Sequence, residues 1–340
     1  MTDKIRPNDP RLQRKTANVR GKTYSYLDFT PATTPTDTVL LLHGFPDISL
    51  GWRYQIPALL ALNLRVVVPD NLGYGRTDAP SDAAHYGTKS LADDMAELAS
   101  AAIGKDVPFI LGGHDWGAAL AWRLALWHPQ LVKAIFGVCV PYTAPRDDVP
   151  PLEDIIRAGV MPNFNYQLQL IGPDVEREIQ GKQKIREFLS AVYAGWNEEG
   201  KRGFSVDKGV LFDRLPGMKL PRDIEEGEME YYAGEFARNG MRGPTNWYRA
   251  SKINREDELE LVGKGPEALK IKVPTLFVAA TKDLALPPGM AAGMDKWVDD
   301  LTKVEVNATH WLLWEAPEEF NGHLKAWLEK SVLGRAKAAL

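Results

Sequence analysis

A mostly parallel β-sheet flanked by helices, an α/β fold with a helical insertion, is predicted by three features of this 340-residue chain. Short apolar runs rich in β-branched residues alternate with helical stretches, the alternation stops over a middle segment rich in Tyr and Trp, and it then resumes. Alternating β and α segments imply parallel strands joined by right-handed crossovers. Runs that are apolar throughout, rather than at every second residue, suit strands buried on both faces.

Near the start, Lys22 to Leu27 alternates and reads as an antiparallel strand added at a sheet edge. Core strands are expected at Val39 to Leu42, Val66 to Val68, Pro108 to Leu111, Ala134 to Val140, Pro274 to Ala280 and Lys303 to Val306. Leu91 to Ile103 carries apolar or Ala residues at 91, 92, 95, 96, 98, 99 and 102, a stripe that lets a helix lie against the sheet. Ala118 to Trp127 reads the same way. Two further helices are expected at Gly289 to Leu301, opened by Pro287 and Pro288, and at Pro317 to Leu328, opened by Pro317. Between about Pro141 and Val262 strands vanish, and Tyr142, Tyr166, Tyr193, Trp196, Tyr231, Tyr232, Trp247 and Tyr248 accumulate. The expected organisation is a core of residues 1–141 and 263–340 with a helical lid of residues 142–262. Such a lid sits above the carboxyl ends of the strands, where open α/β sheets bind ligands.

Composition narrows the partners. Hydrophobic residues make up 44% and charged residues 25%, which excludes disordered and collagenous classes. Forty-one Lys and Arg against 45 Asp and Glu give a net charge of −4 without a block of like charges, so neither nucleic acid nor an anionic membrane is an expected partner. The single cysteine, Cys139, excludes an intrachain disulfide and a cysteine-based zinc site, and its apolar surroundings suit a buried, inert thiol. No stretch approaches the roughly 18 apolar residues of a membrane span, and Met1 to Arg20 has no apolar leader segment. A soluble, cytoplasmic protein is expected, with a homodimer left open. Ala338 to Leu340 lack the basic residue of a peroxisomal address.

The chemistry concentrates at Gly113-His114-Asp115-Trp116-Gly117, between a predicted strand and a predicted helix. This is the small-x-nucleophile-x-small spacing of a nucleophile elbow, with Asp where esterases and lipases carry Ser. The flanking glycines leave room for a strained turn, and the helix N-terminus favours a carboxylate. After an earlier strand, Leu42-His43-Gly44-Phe45-Pro46-Asp47 offers a loop N–H, so Phe45 and Trp116 are assigned as backbone oxyanion donors. Nucleophile, acid and base follow in that chain order when Asp283 comes after the strand ending at Ala280 and His310 after the strand ending at Val306. Gly73 and Gly75 shape a turn. His43 packs in its loop, while His85, His128 and His323 lie away from strand ends; no two histidines have metal-ligand spacing, so no metal and no cofactor are expected.

The ordered set His43-Gly-Phe-Pro-Asp, Gly51-Trp-Arg-Tyr-Gln-Ile-Pro-Ala-Leu, Leu72-Gly-Tyr-Gly-Arg-Thr-Asp-Ala-Pro and Gly113-His-Asp-Trp-Gly resembles the α/β-hydrolase-fold epoxide hydrolases over roughly Arg20 to Lys330. One departure is Thr309, where the family usually has Gly before the catalytic His. In Asn163-Phe-Asn-Tyr and Thr245-Asn-Trp-Tyr, Tyr166 and Tyr248 resemble the lid tyrosines whose phenols hydrogen-bond the epoxide oxygen. The resemblance implies attack of Asp115 on a small apolar epoxide, followed by hydrolysis of the ester by water that His310 activates. Phe164, Leu168, Trp247 and Trp311 are expected to line the substrate pocket. A haloalkane or haloacid dehalogenase would use the same triad, but Phe45 replaces its halide-binding Asn and Trp116 its carboxylate-binding Arg. A non-catalytic small-molecule receptor on the same fold is the reading from another class.

Overall fold

In a computed structural model describing residues 2–334, the chain begins with the hairpin β1 (Arg14–Val19) and β2 (Lys22–Phe29). It continues through β3 (Asp37–Leu42), α1 (Gln55–Ala61), β4 (Leu64–Pro69), α2 (Thr88–Ala102), β5 (Phe109–His114), α3 (Trp116–Trp127) and β6 (Val132–Val138). The insertion follows as α4 (Leu152–Arg157), α5 (Tyr166–Ile171), α6 (Asp174–Glu178), α7 (Gly181–Val192), the two-residue strands β7 (Phe204–Ser205) and β8 (Gly209–Val210), α8 (Glu226–Asn239), α9 (Arg242–Arg249) and α10 (Ser251–Gly263). The sheet resumes with β9 (Thr275–Ala280) and β10 (Leu301–Val306), and α11 (Leu312–Glu315) and α12 (Pro317–Trp327) follow. The terminal Ala338 to Leu340 lie outside the described residues. No helix among the described residues is long and apolar enough to cross a membrane.

Eight strands form one sheet in the order β1-β2-β4-β3-β5-β6-β9-β10. β2 runs antiparallel to both β1 and β4, and every later pairing is parallel. From β3 the chain moves to one side for β4 and returns to the other side for β5. The carboxyl ends of β3 and β5 therefore flank the point where strand order reverses, the place such sheets reserve for ligands. Their register pairs Leu42 with Gly113, which sets the loop after His43 beside the turn at Asp115.

Several expectations change at this level. The sheet edge is β1, whose sequence Arg-Lys-Thr-Ala-Asn-Val is too polar to announce a strand. The run expected to reach Val140 ends at Val138 because Cys139 takes φ = 66°, a conformation that leaves the strand. No helix spans Gly289 to Leu301: single 3₁₀ turns occupy Pro288–Ala291 and Met294–Lys296, separated by Gly293 at φ = 85°, and Leu301 already pairs with Thr275. Strands do not vanish from the insertion, since β7 and β8 form a small antiparallel hairpin.

The insertion is fastened to the core by specific contacts. Trp247 Nε1 donates to the Leu72 carbonyl at 3.0 Å, and Arg76 pairs with Glu235 at 3.0 Å. A Cβ placed on Gly73, which has φ = 91°, would meet the Gly243 backbone at 2.8 Å, so turn and lid helix touch where neither has a side chain. Within the core, Phe136 on β6 packs edge-on between Trp52 and Trp327, with centroids 6.0 and 6.3 Å away. Its ring fills the space opposite Gly112, where a Cβ would come within 2.2 Å of it. Phe136→Ala is expected to lower the unfolding free energy by about 3–5 kcal/mol through the cavity it leaves, measured by denaturant titration.

Candidate active site

The turn from β5 into α3 determines what Asp115 can do. Its backbone sits at φ = 53°, ψ = −126°, a region costly for a residue with a Cβ. A Cβ on Gly113 would lie 2.3 Å from the Gly117 carbonyl oxygen, and one on Gly117 would lie 2.1 Å from that of Leu42. Only glycine at both flanks permits this approach. Asp115 occupies the N-cap position, but its side chain makes no capping hydrogen bond, so the carboxylate is directed elsewhere. Oδ1 accepts the Phe45 N–H at 2.7 Å, and Oδ2 lies 3.5 Å from His310 Nε2. Burial raises the carboxyl's pKa, but His310, His114 and the Phe45 N–H together hold it below its ordinary value.

His310 reaches Asp115 from the loop after β10. Its Nδ1 contacts Asp283 Oδ2 at 2.6 Å, and Asp283 Oδ1 accepts the N–H groups of Ala285 and Leu286, each at 2.9 Å. Burial opposes ionisation of Asp283, yet His310 and these donors bring its pKa down to about 2. Burial likewise opposes the His310 charge, while Asp283, Cys139 and Asp115 outweigh it and hold the imidazole well above its usual value. Thr309, at the position of the expected Gly, binds Glu315 through its N–H (2.8 Å) and its hydroxyl (2.7 Å). The loop is tied to the end of α11 by a side chain that glycine lacks.

His114, between Gly113 and Asp115 in the elbow, and Cys139, expected to be an inert buried thiol, both hold the His310 backbone. His114 Nε2 lies 2.9 Å from the His310 carbonyl oxygen, and the Cys139 thiol donates to the same oxygen at 3.6 Å. Burial depresses His114 to about 4 and raises Cys139 to about 12, so both are neutral near pH 7. Potential metal-ligand atoms of His114, Cys139 and His310 lie within 4.8 Å of one another, although His310 Nδ1 is engaged by Asp283. Alternation of strand and helix could not reveal this convergence, because it depends on Cys139 leaving β6. His43 supports the other wall: its Nε2 accepts the Asn71 N–H, and its Nδ1 faces the Gly44 carbonyl, both at 2.9 Å.

Tyr166 and Tyr248 meet edge to face with centroids 6.3 Å apart. Tyr248 also packs against Phe45 at 5.1 Å and Trp116 at 5.3 Å, the residues whose backbones flank Asp115. Burial first, and Asp115 among the charges, raises both phenols above their ordinary value, which keeps them protonated donors. A cavity of about 510 Å³ meets the site on the Trp116 and Tyr248 side and includes Phe164, Gln167 and Met290 in its walls. Three expected pocket residues do not line it. Trp247 is committed to Leu72, Trp311 donates to the Val192 carbonyl and stacks on Trp314 at 4.9 Å, and α5 presents Gln167 rather than Leu168 to the cavity.

A strand–turn–helix elbow, a carboxylate-oriented histidine and a helical insertion after β6 define the class, and the chain belongs to the alpha/beta hydrolase fold family, whose sequence model matches residues 37–317. Within it the chain is a member of the epoxide hydrolases. It is 42% identical over 96% of its length to epoxide hydrolase srdG of Neurospora crassa, covering 98% of that protein. It is 34% identical over 86% of its length to bifunctional epoxide hydrolase 2 of Rattus norvegicus, spanning 52% of that longer chain. Among solved structures, epoxide hydrolase VrEH1 from Vigna radiata superposes with a TM-score of 0.78 at 26% identity, over 96% of this chain and 100% of that one.

The carboxylate at Asp283 favours the imidazolium form of His310, whereas a neutral amide does not. In Asp283→Asn the His310 titration midpoint is therefore expected to fall, followed by ¹⁵N NMR of the imidazole; an unchanged midpoint contradicts the pairing.

Proposed function

We propose that this chain converts an epoxide to a vicinal diol through a covalent ester on Asp115. The observation that carries this reading is the convergence on one carboxylate: the Phe45 N–H addresses one oxygen at 2.7 Å, and His310 Nε2 faces the other at 3.5 Å. An Asp115 oxygen attacks an epoxide carbon and the ring C–O bond breaks. The departing alkoxide accepts hydrogen bonds from Tyr166 and Tyr248 and is protonated there. Leaving-group charge on sp³ carbon gains from such donors because it develops in the transition state. Water then loses a proton to His310 and adds to the carbonyl carbon of Asp115. The resulting oxyanion rests on the N–H groups of Phe45 and Trp116. On collapse His310 returns its proton to the departing diol oxygen, and the second proton of the added water, left on the Asp115 carboxyl, passes to the phenolate that protonated the ring oxygen, which restores carboxylate and phenol together.

In this reading residues 1–141 and 263–340 supply nucleophile, base and oxyanion donors, and the lid of residues 142–262 supplies the acid. The substrate is a small apolar epoxide whose substituent enters the cavity beside Phe164, and the site of action is the cytoplasm. A halide-releasing reaction is less well supported, because Phe45 offers no side-chain amide for the halide and Tyr248 packs against Trp116.

Esterification also tunes the base. It removes the Asp115 charge, one of the groups that hold the proton on His310, so the imidazolium becomes more acidic in the ester than in the free protein. Ester hydrolysis needs neutral imidazole and is expected to slow as pH falls. Its midpoint in single-turnover measurements is expected below the His310 midpoint of the free protein.

Intact mass spectrometry of His310→Gln mixed with styrene oxide tests the reading directly. An added mass equal to the whole epoxide, mapped to Asp115, is expected. No adduct from this folded variant, together with no diol from the wild type across several epoxides, defeats the proposal. In Tyr166→Phe/Tyr248→Phe, ester formation is expected to slow by roughly 10²-fold or more, the scale of lost general-acid assistance.

A further inference from the structure

Two lid tyrosines that take no part in the chemistry above reach into the loop that carries the Phe45 donor. Tyr193, directly after α7, donates its hydroxyl to the Pro46 carbonyl. Tyr232, on α8, donates to Asp47 Oδ1 at 2.8 Å, and the same oxygen accepts the Ile48 N–H at 2.8 Å. Both phenols are buried, and the rings meet at 6.2 Å. Asp47 is itself 1% exposed, and its Oδ2 has no partner among the described residues. The Tyr193 ring also packs at 4.7 Å against Trp311, the neighbour of the base. α8 is held in turn by Lys4, whose Nζ lies 2.7 Å from Glu228.

Resting on the Asp115 chemistry of the preceding section, we propose that Tyr193 and Tyr232 are positioning residues through which the lid fixes the Phe45 N–H for ester hydrolysis. The two hydroxyls grip Pro46 and Asp47, the residues immediately after Phe45, from two separate lid elements. Phe45 itself is gripped on its other side, where its N–H meets Asp115. A peptide held at successive residues loses the freedom to swing its N–H away from the oxyanion.

The consequence for the two half-reactions is asymmetric. In the free site the Phe45 N–H stabilises the Asp115 carboxylate, and alkylation discharges that charge, so a loosened donor does not penalise ester formation. Hydrolysis builds new negative charge on the ester oxygen, and there the donor must already be in place. Loss of a mere packing contact has no reason to separate the steps in this way.

The test is Tyr193→Phe and Tyr232→Phe, which remove one hydroxyl each and leave the rings. With styrene oxide as probe, rapid quench and intact mass measure ester formation and ester decay separately. In each variant formation is expected within about twofold of wild type and decay slowed by about tenfold, below the effect of deleting an oxyanion donor outright, with ester accumulating at steady state. Normal ester formation certifies that the variant is folded. Decay at the wild-type rate, or equal slowing of both steps, overturns the proposal. Amide hydrogen exchange provides a readout that needs no substrate: Phe45 is expected to exchange about tenfold faster in each variant, and unchanged exchange overturns the positioning role. Absence of ester in the wild type would instead remove the chemistry proposed for Asp115, and the Phe45 exchange would still report whether the grip exists.

Discussion

The rest of the site depends on the backbone conformation of one residue. Asp115 is held at positive φ between two glycines that no other residue could replace without meeting backbone. That turn directs the side chain away from the cap role its position offers and toward the switch point between β3 and β5. Backbone strain of this kind, of order 1–3 kcal/mol, persists only where surrounding structure over-determines it. Here the helix beyond and the parallel ladder behind supply that determination: the Asp115 carbonyl accepts the Ala118 N–H at 2.8 Å, and its N–H reaches Val138 at 3.2 Å.

Given that turn, the sheet order distributes the remaining roles. β3 ends beside β5 and delivers the Phe45 N–H; β9 and β10 end farther along the same edge and deliver Asp283 and His310. The histidine must cross back over β6 and β9 to reach Asp115, so its loop requires anchoring. His114 and Cys139 provide this through the His310 carbonyl, and Thr309 through Glu315. The same logic explains why the elbow's variable position carries an imidazole held neutral by burial. It is a hydrogen-bonding strut that adds no positive charge beside His310.

What the sequence reveals, and what it hides, follows from the range of the determining interactions. The parallel strands, α2, α3, α12 and the elbow are legible because local patterns of apolar residues and glycines determine them. Gly289 to Leu301 misleads because an apolar, proline-led segment with Gly293 at positive φ satisfies itself in 3₁₀ turns instead of a helix. β1 stays hidden because an edge strand needs no apolar face on both sides. Asp115, Asp283 and His310, which the structure brings together, are marked by motif and chain order, whereas Tyr166 and Tyr248 are singled out only through the family resemblance. Trp247 and Trp311 are aromatic, lie beside marked residues and yet serve packing; only their indole partners, Leu72 and Val192, distinguish them from pocket walls. Tyr193 and Tyr232 pose the converse difficulty, since their partners lie 147 and 185 residues away.

The division between core and lid has a chemical reason. In the proposed reaction, attack at sp³ carbon puts nucleophile and leaving group on opposite sides, so the carboxylate and the acids that would receive the ring oxygen cannot share one wall. A single sheet edge can present Asp115, its base and its oxyanion donors, but it cannot also stand across the substrate from them. An insertion emerging after β6 can do so, and the proposal gives that place to its Tyr166 on α5 and Tyr248 on α9, whose rings meet edge to face. Tyr248 packs on Phe45 and Trp116, whose backbones flank Asp115, and Tyr166 packs on Tyr248. Both phenols are pushed up by burial first and by the Asp115 charge as well, so in the proposed mechanism the nucleophile helps to keep the opposing acids protonated until it is consumed.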